Sequence, residues 1–241
     1  MSFTYKEKIL DWNWYDEECL DSTNNAIKQI QAENFPAVIS AVKQTGGRGR
    51  RGRSWISING NLYFTFNYEI ELNELSRYVC IIGLSLIKTI ISYNIDADVK
   101  IKWPNDVFFS GKKITGILIE NISEKNWAIG IGVNIAGSPH LNDMPYQATS
   151  LSEQNIKTDR IDFLKKYLTQ FKLLSDQYKK QGFSTIKTEW LRYALNLGRE
   201  ITIKNDDTIK KGIFLTLDDN GYLILKVKDN EERIIAGDLF I

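Results

Sequence analysis

A glycine and arginine segment between two apolar runs is the feature that most limits how this chain can fold. Residues 44–53 read QTGGRGRRGR, and four arginines fall within six positions. Because the segment has almost no apolar side chains to bury, it must form a loop. Glycine lets the backbone approach a ligand closely, and arginine binds carboxylates and phosphates. The pattern therefore predicts an anion-binding loop.

The segment by itself fits either of two ligands, because arginine and glycine runs also occur in flexible segments that contact RNA. Here it lies between apolar strands predicted at residues 37–42 and 62–68, and it leads into Trp55, whose ring can stack on a purine. The 31 basic and 30 acidic side chains nearly cancel, so no overall charge favours nucleic acid or an anionic membrane. We therefore expect an enclosed nucleotide.

The order of the apolar patterns predicts an α+β chain. The polar residues 21–24 precede apolar residues at helical spacing, which predicts a helix from there to about residue 34. Further strands are predicted at 99–103, 107–109, 114–119 and 127–135, and helices at 74–93, 160–180 and 184–195. After residue 196 only short strands remain, around an Asn220-Gly221 turn. This tail is predicted to be a small β-barrel.

Composition excludes several other classes of protein. Cys19 and Cys80 are too few and too far apart for a disulfide framework or a zinc site, so two reduced core thiols are expected. Neither a signal peptide nor a membrane span of about 20 apolar residues is present, which predicts a cytoplasmic protein. His140, the one histidine, falls in a loop predicted at residues 137–147 to be exposed or mobile, and no metal role is expected for it.

A second polar cluster follows the strand predicted at residues 99–103. Residues 102–106 read KWPND, which places a lysine, an amide and a carboxylate together. Lys102 is suited to phosphate, and the carboxylate of Asp106 is suited to a metal ion. The alternative is that Lys102 is solvated and that Asp106 caps a turn.

Two further segments carry glycines inside buried strands. Lys113 stands just before a strand that Gly116 interrupts, as expected where a ligand or another backbone comes close. Residues 129–134, IGIGVN, repeat that pattern and end at Asn134.

These segments together resemble the biotin protein ligases. Five blocks occur in the family's order: STN at 22–24, the arginine-rich segment from Gln44 through Trp55, KWPND at 102–106, KITGILIE at 113–120 and GIGVNI at 130–135. The resemblance implies an α+β catalytic domain with a mixed sheet over residues 1–195, related to class II aminoacyl-tRNA synthetases and lipoate ligases. It also implies an SH3-like C-terminal domain over residues 196–241.

The resemblance implies two half-reactions. The biotin carboxylate attacks the α-phosphate of Mg-ATP to give biotinoyl-5′-AMP and pyrophosphate, and a lysine of a biotin carboxyl carrier protein or domain then attacks the activated carbonyl. ATP and biotin are the expected substrates, with Mg²⁺ as the metal. A lysine of ordinary pKa about 10.4 is mostly charged at neutral pH, so a base must favour its neutral amine. Asp106 is the candidate base.

The resemblance also implies a role for each motif residue. The biotin pocket is expected to be lined by Ser22, Thr23, Asn24, Gln44, Gly47, Arg48, Arg50, Lys113 and Gly116. Nucleotide binding is expected from Arg50, Arg51, Arg53, Trp55, Lys102, Asn105, Lys113 and Asn134, with Trp55 stacked on adenine. The expected catalytic residues are Arg50, Lys113, Lys102 and Asp106, and Asp106 is also the expected magnesium ligand. Ser22 and Thr23 have an alternative role as helix caps.

Two features depart from the longer family members. The first motif begins about 20 residues into the chain, so no helix-turn-helix domain and no DNA partner are expected. Asp238 stands where the family often carries glutamate.

A homodimer formed by edge-to-edge sheet pairing is compatible with the family. Two other functions stay open at this point: a lipoate or octanoate ligase or transferase of the same fold, and an RNA-binding module.

Overall fold

The computed structural model describes residues 3–139, 146–205, 208–235 and 237–240. The strands within these residues are β1 (Tyr5–Ile9), β2 (Trp12–Leu20), β3 (Ala37–Gln44), β4 (Leu62–Glu69), β5 (Val99–Lys102), β6 (Asp106–Phe109), β7 (Lys112–Asn121), β8 (Asn126–Val133), β9 (Glu200–Lys204), β10 (Ile209–Leu217), β11 (Leu223–Val227), β12 (Asn230–Ile234) and β13 (Asp238–Phe240). The α-helices are α1 (Thr23–Ile27), α2 (Leu75–Ile91), α3 (Arg160–Gln181) and α4 (Phe183–Arg192).

Contacts divide the chain into two compact units. The first unit comprises Met1–Glu71 and Gly111–Thr169, and the second comprises Leu72–Ser110 and Gln170–Ile241. Among the helices that the described residues form, none is both long and apolar enough to cross a membrane.

The first unit is built on a mixed sheet. Its strands lie in the order β1-β2-β3-β4-β8-β7, in which β2 and β3 are parallel and the other neighbours are antiparallel. Phe64 and Phe66 alternate along β4 and therefore share a face. Both rings contact Tyr167 of α3, at centroid distances of 5.3 and 6.0 Å. The helix covers the sheet at this buried aromatic cluster.

Two predictions for the first unit are wrong. The helix expected to reach residue 34 ends at Ile27, because hydrogen bonds draw the following residues to β2: Asn13 donates to the carbonyls of Asn34 and Pro36, at 2.8 and 2.9 Å. Cys19 is exposed rather than buried, because the end of β2 carries it to the surface. The apolar patterns also do not predict β1, where only the last of the five residues is buried.

The second unit joins helices to a small antiparallel sheet. Its five strands lie in the order β12-β11-β10-β9-β13. Arg77 of α2 donates to the carbonyl of Asp219 and to Asn220 Oδ1, at 2.8 and 2.6 Å, and so holds the turn between β10 and β11. Gly221 has a φ of 86°, and a Cβ there would lie 2.8 Å from the Ser76 carbonyl oxygen, so only glycine fits this turn. The predicted tail hairpin is confirmed.

The predicted fold class is confirmed: the chain is α+β, with a mixed sheet and a small antiparallel C-terminal sheet. Cys80 is buried in α2 as expected, and burial raises the pKa of its thiol. His140 and residues 141–145 of the predicted loop lie outside the described residues, as does the side chain of Asp238.

A polar network holds α3 to the sheet of the first unit. Arg160 forms an ion pair with Asp16, whose other carboxylate oxygen accepts a hydrogen bond of 2.6 Å from Ser40 Oγ. Trp14 Nε1 in turn donates to Ser40 Oγ at 2.8 Å. The side chains of Arg160 and Asp16 are only 17% and 13% exposed, so losing one charge would leave the other poorly solvated.

We predict that Asp16→Ala lowers the free energy of unfolding by about 3 to 5 kcal/mol, because Arg160 is left buried without its counter-charge. The matched control is Glu7→Ala, which removes the Glu7–Lys165 ion pair between β1 and α3; its side chains are 48% and 45% exposed. This change should cost about 0.2 to 1 kcal/mol. Urea denaturation followed by circular dichroism measures both, and equal losses would contradict the assignment.

Candidate functional site

Four of the five sequence blocks meet in the first unit. The STN block begins α1, Gln44 ends β3, and the other two blocks form β7 and β8. Strands β7 and β8 are antiparallel neighbours, and their register places Gly116 directly opposite Gly132. The arginine-rich segment, residues 44–55, continues from β3, and its last residue, Trp55, lies against Gly116 and Gly132.

Buried polar side chains surround the start of α1. The Thr23 backbone N–H and hydroxyl both donate to Gln44 Oε1, at 2.8 and 3.1 Å. Thr65 Oγ1 lies 2.8 Å from Thr23 Oγ1 and 2.7 Å from Asn24 Oδ1. Because these contacts occupy its oxygen, Gln44 retains the two donors of its amide nitrogen for a ligand. Thr65 was not predicted, because a buried threonine in a strand has no sequence signature.

The alternative capping role of Ser22 and Thr23 is wrong. Ser22 occupies the N-cap position with an extended backbone but forms no side-chain capping hydrogen bond. The N–H groups of Asn25 and Ala26 donate instead to the Ser22 carbonyl, at 3.1 and 3.0 Å. Thr23 lies inside the helix and directs its hydroxyl to Gln44. Both residues are buried beside the network.

The arginine-rich segment folds back on itself. Trp55 N–H donates to the Gly47 carbonyl at 2.9 Å, and Gly49 N–H donates to the Arg53 carbonyl at 2.6 Å. Arg51 and Gly52 have φ values of 55° and 70° and reverse the chain direction. A Cβ at Gly47 would lie 2.6 Å from the Trp55 carbonyl oxygen, so this hairpin-like loop needs glycine there.

The arginines of the loop differ in their contacts. Arg48 Nη2 donates to Asn25 Oδ1 at 2.8 Å and to Glu120 Oε1 at 3.3 Å. Lys28 also binds Glu120, at 2.9 Å. Partial burial alone would raise the pKa of Glu120, but the hydrogen bond and charge of Lys28, with Arg48, hold that pKa below its ordinary value of 4.5. An ionised Glu120 therefore anchors the base of the loop.

The tip of the loop carries the remaining cations. Arg51 and Arg53 are exposed, and Arg50 is half-buried. Arg53 Nε donates to the Arg50 carbonyl at 3.3 Å, which helps to close the turn. Arg48 therefore lies at the base of the loop, and the other three arginines lie nearer its tip.

The strand glycines accommodate side chains of the protein itself. A Cβ at Gly116 would lie 2.7 Å from Trp55 Cζ3, and a Cβ at Gly132 would lie 2.5 Å from Trp55 Cε2. A Cβ at Gly130 would lie 2.1 Å from Asn24 Oδ1. In this structure the close approach predicted at Gly116 is therefore made by an aromatic side chain, which single-sequence patterns do not reveal.

Lys113 lies between two aromatic rings. Its ammonium nitrogen is 5.5 Å from the centroid of Trp55 and 5.2 Å from that of Tyr146, within the range of cation–π attraction. Lys113 Nζ is also 3.4 Å from the Tyr146 hydroxyl. Backbone hydrogen bonds to Gln147 and Thr149 hold this part of the chain against β7. Tyr146 was missed because it lies in a segment without periodicity.

Asn134 is part of a buried amide network. Its Nδ2 donates to the Thr149 carbonyl at 3.0 Å, and its Oδ1 accepts from Asn61 Nδ2 at 3.3 Å. Asn61 Oδ1 accepts backbone N–H bonds from residues 135, 136 and 137. Asn134 therefore shapes the chain after β8, and Asn61 is a supporting residue that no motif signals.

The KWPND block lies in the second unit. Lys102 and Asp106 are direct partners in the β5–β6 hairpin, on either side of the connecting residues 103–105, which include Asn105. Lys102 is 9% exposed and its ammonium nitrogen lies 5.6 Å from the Phe108 centroid, so the alternative of a solvated Lys102 is wrong. Asn105 and Asp106 are half-buried.

The described residues contain no group of three or more histidine, cysteine, aspartate or glutamate side chains that could hold a metal ion by themselves. Magnesium in nucleotide enzymes commonly uses one or two carboxylates together with substrate phosphates. The half-buried carboxylate of Asp106 fits that second kind of site.

Comparison with family models finds two matches. Residues 17–135 match the Biotin/lipoate A/B protein ligase family, and residues 197–241 match the Biotin protein ligase C terminal domain. The first match contains all five sequence blocks, and the second contains all five strands of the C-terminal sheet.

Individual relatives extend the similarity to nearly the whole chain. The biotin–[acetyl-CoA-carboxylase] ligase of Paracoccus denitrificans is 32% identical, with 91% of this chain and 97% of that protein covered. The bifunctional ligase/repressor BirA of Bacillus subtilis is 31% identical, over 98% of this chain and 76% of the relative. The biotin protein ligase of Aquifex aeolicus, solved with biotin and ATP, has a TM-score of 0.85 at 28% identity, over 95% of this chain and 97% of that one. The chain belongs to the biotin protein ligase family.

Proposed function

We propose that this chain is an ATP-dependent biotin–protein ligase that makes biotinoyl-5′-AMP and then transfers the biotinoyl group to a lysine. The observation that carries the proposal is the position of Lys113, whose ammonium group lies over the Trp55 ring where four family motifs meet. The Aquifex relative was solved with biotin and ATP, which supports the same two substrates here.

Biotin has a polar ureido ring at one end and a carboxylate at the other. The buried network of Thr23, Asn24 and Gln44 offers fixed hydrogen-bonding groups for the ureido ring. Ser22, Gly47 and Gly116 complete the proposed biotin pocket. Because Arg48 is bound by Asn25 and Glu120, we assign it to holding the loop beside the pocket rather than to direct charge pairing.

Adenylate formation brings the biotin carboxylate and the α-phosphate together, and both are negatively charged. Lys113 and Arg50 would supply positive charge where these groups meet, and such placed charges stabilise the transition state best when water is excluded. The carboxylate oxygen forms a bond to the α-phosphorus as the bond to pyrophosphate breaks. The products are biotinoyl-5′-AMP and pyrophosphate.

The other nucleotide contacts follow the family pattern. Trp55 would stack on adenine, while Arg51, Arg53, Lys102 and Asn105 would bind phosphate groups. Asn134 would contribute by holding the backbone after β8 in place, because its side-chain amide is hydrogen-bonded to Asn61 and Thr149. Asp106 would bind a magnesium ion that ATP brings, and this ion would neutralise charge on the phosphates.

In the second half-reaction the acceptor amine attacks the biotinoyl carbonyl and AMP leaves. Asp106 is the proposed base that takes the amine proton. The proposed acceptor is a biotin carboxyl carrier protein or domain, in line with the carboxylase substrate in the name of the Paracoccus relative.

We assign residues 1–195 to the catalytic domain and 196–241 to the SH3-like domain. Homodimer formation stays a prediction, which mass measurement with and without ligand tests.

A lipoate ligase would use the same fold and the same acyl-adenylate chemistry, so activity must decide between the two substrates. Pyrophosphate exchange into ATP should be stimulated by biotin and not by lipoate. Exchange that responds to lipoate alone would overturn the proposal. A salt-dependent shift with RNA and no response to biotin would favour the RNA-binding alternative.

We predict that Lys113→Ala slows biotin-dependent pyrophosphate exchange at least about 100-fold, the scale seen when one charge-stabilising donor is removed. The neighbouring Lys112→Ala is the matched control, because Lys112 is exposed and its side chain points to the other face of β7. Thermal unfolding should show both variants folded. Normal exchange by a folded Lys113→Ala protein would defeat the assignment.

We predict that Arg50→Gly releases biotinoyl-5′-AMP about 10 to 100 times faster, because it removes a charge-assisted bond to phosphate worth about 1.5 to 3 kcal/mol. Released adenylate acylates lysines at random, so an unrelated protein added with biotin and ATP should become biotinylated more than with the wild type. Arg50→Lys, which keeps the positive charge, should retain part of the intermediate. A variant that makes no adenylate, or holds it as tightly as wild type, would show that Arg50 acts elsewhere.

A further inference from the structure

We propose that Gly132 is a positioning residue that seats the Trp55 ring for the nucleotide base. The inference rests on the proposed function, because it concerns how the chain holds the ring that would stack on adenine. Gly132 itself would touch neither ATP nor biotin. Because Gly132 has no side chain, it leaves space on β8 for the Trp55 ring.

The sheet register creates this seat. Gly116 and Gly132 are direct cross-strand partners, so together they leave a gap in the side chains on one face of β7 and β8. The six-membered ring of Trp55 lies across the gap. A Cβ at Gly132 would be 2.5, 2.6 and 2.7 Å from Cε2, Nε1 and Cζ2 of Trp55, and a Cβ at Gly116 would be 2.7 Å from Cζ3. Contacts below 3.0 Å force a movement, so alanine at either position displaces the ring.

The neighbouring residues show that the requirement at Gly132 is specific. Gly130 lies two residues earlier on the same face, and its missing Cβ makes room for Asn24 rather than for Trp55. Ile131 and Val133 alternate to the opposite face and are buried. The motif GIGVN thus accommodates two different side chains, one on the biotin side and one on the nucleotide side of the proposed site.

The ring is held by shape rather than by its own hydrogen bond. Trp55 Nε1 is buried, and no side chain or backbone group among the described residues accepts its proton. Burying a donor in this way costs free energy, and such groups concentrate where a protein serves a function. The glycine pair and the ammonium of Lys113, 5.5 Å from the ring centroid, are the contacts that define the ring position.

Replacing Gly132 should weaken nucleotide binding and leave biotin binding nearly unchanged. Gly132→Ala should raise the KM for ATP in biotin-dependent pyrophosphate exchange by about tenfold or more, the scale of a lost base–aromatic stacking contact. The Kd for biotin, measured calorimetrically without ATP, should change by less than about threefold, because the stacking contact with adenine is absent from that measurement. Ile131→Val, on the opposite face of the same strand, is the control and should leave the KM for ATP unchanged.

A double-mutant cycle tests whether the effect passes through Trp55. Trp55→Phe removes Nε1 and shortens the ring next to Gly132, so Gly132→Ala should raise the KM for ATP less in the Trp55→Phe protein than in the wild type. An equal increase in both backgrounds, or no increase in a folded Gly132→Ala protein, would overturn the inference. Failure of the wild type to show biotin-dependent exchange would instead overturn the proposed function, so the two failures are distinguishable.

Discussion

The pairing of β7 with β8 is the constraint on which the rest of the site depends. Its register places Gly116 opposite Gly132, and this side-chain gap accommodates Trp55 at the end of the arginine-rich loop. Lys113, near the start of β7, and Asn134, just after β8, lie at the same end of this antiparallel pair, where the Asn134 N–H donates to the Ile114 carbonyl at 3.0 Å. A shift of one residue would move every side chain to the opposite face and separate the motifs.

The polar motif residues differ in the groups that they contact. Arg48 is bound by Asn25 and Glu120, and Asn134 is bound by Asn61 and Thr149, so both hold backbone in place. Lys113 lies between the rings of Trp55 and Tyr146, and its ammonium nitrogen is 3.4 Å from the Tyr146 hydroxyl. Cation–π attraction helps to hold the ammonium group in this position.

Much of the fold follows from sequence because alternating apolar residues such as Phe64 and Phe66 define strands locally. The early end of α1 does not follow, since hydrogen bonds from Asn13 across 21 and more residues determine it. In the site, too, some residues follow from sequence motifs and others do not. Motifs predict Lys113 and Gly116, whereas Asn61, Tyr146 and Glu120 act through contacts that only the folded chain creates.

A crystal structure of this protein with biotin and a non-hydrolysable ATP analogue would show whether the Trp55 ring on the β7–β8 pair binds the nucleotide base. We expect the Trp55 ring to stay across Gly116 and Gly132, adenine to stack on the ring, and the biotin carboxylate to lie beside Lys113. A structure in which Trp55 leaves the glycine pair, or in which adenine binds away from its ring, would show that these two strands do not position the nucleotide.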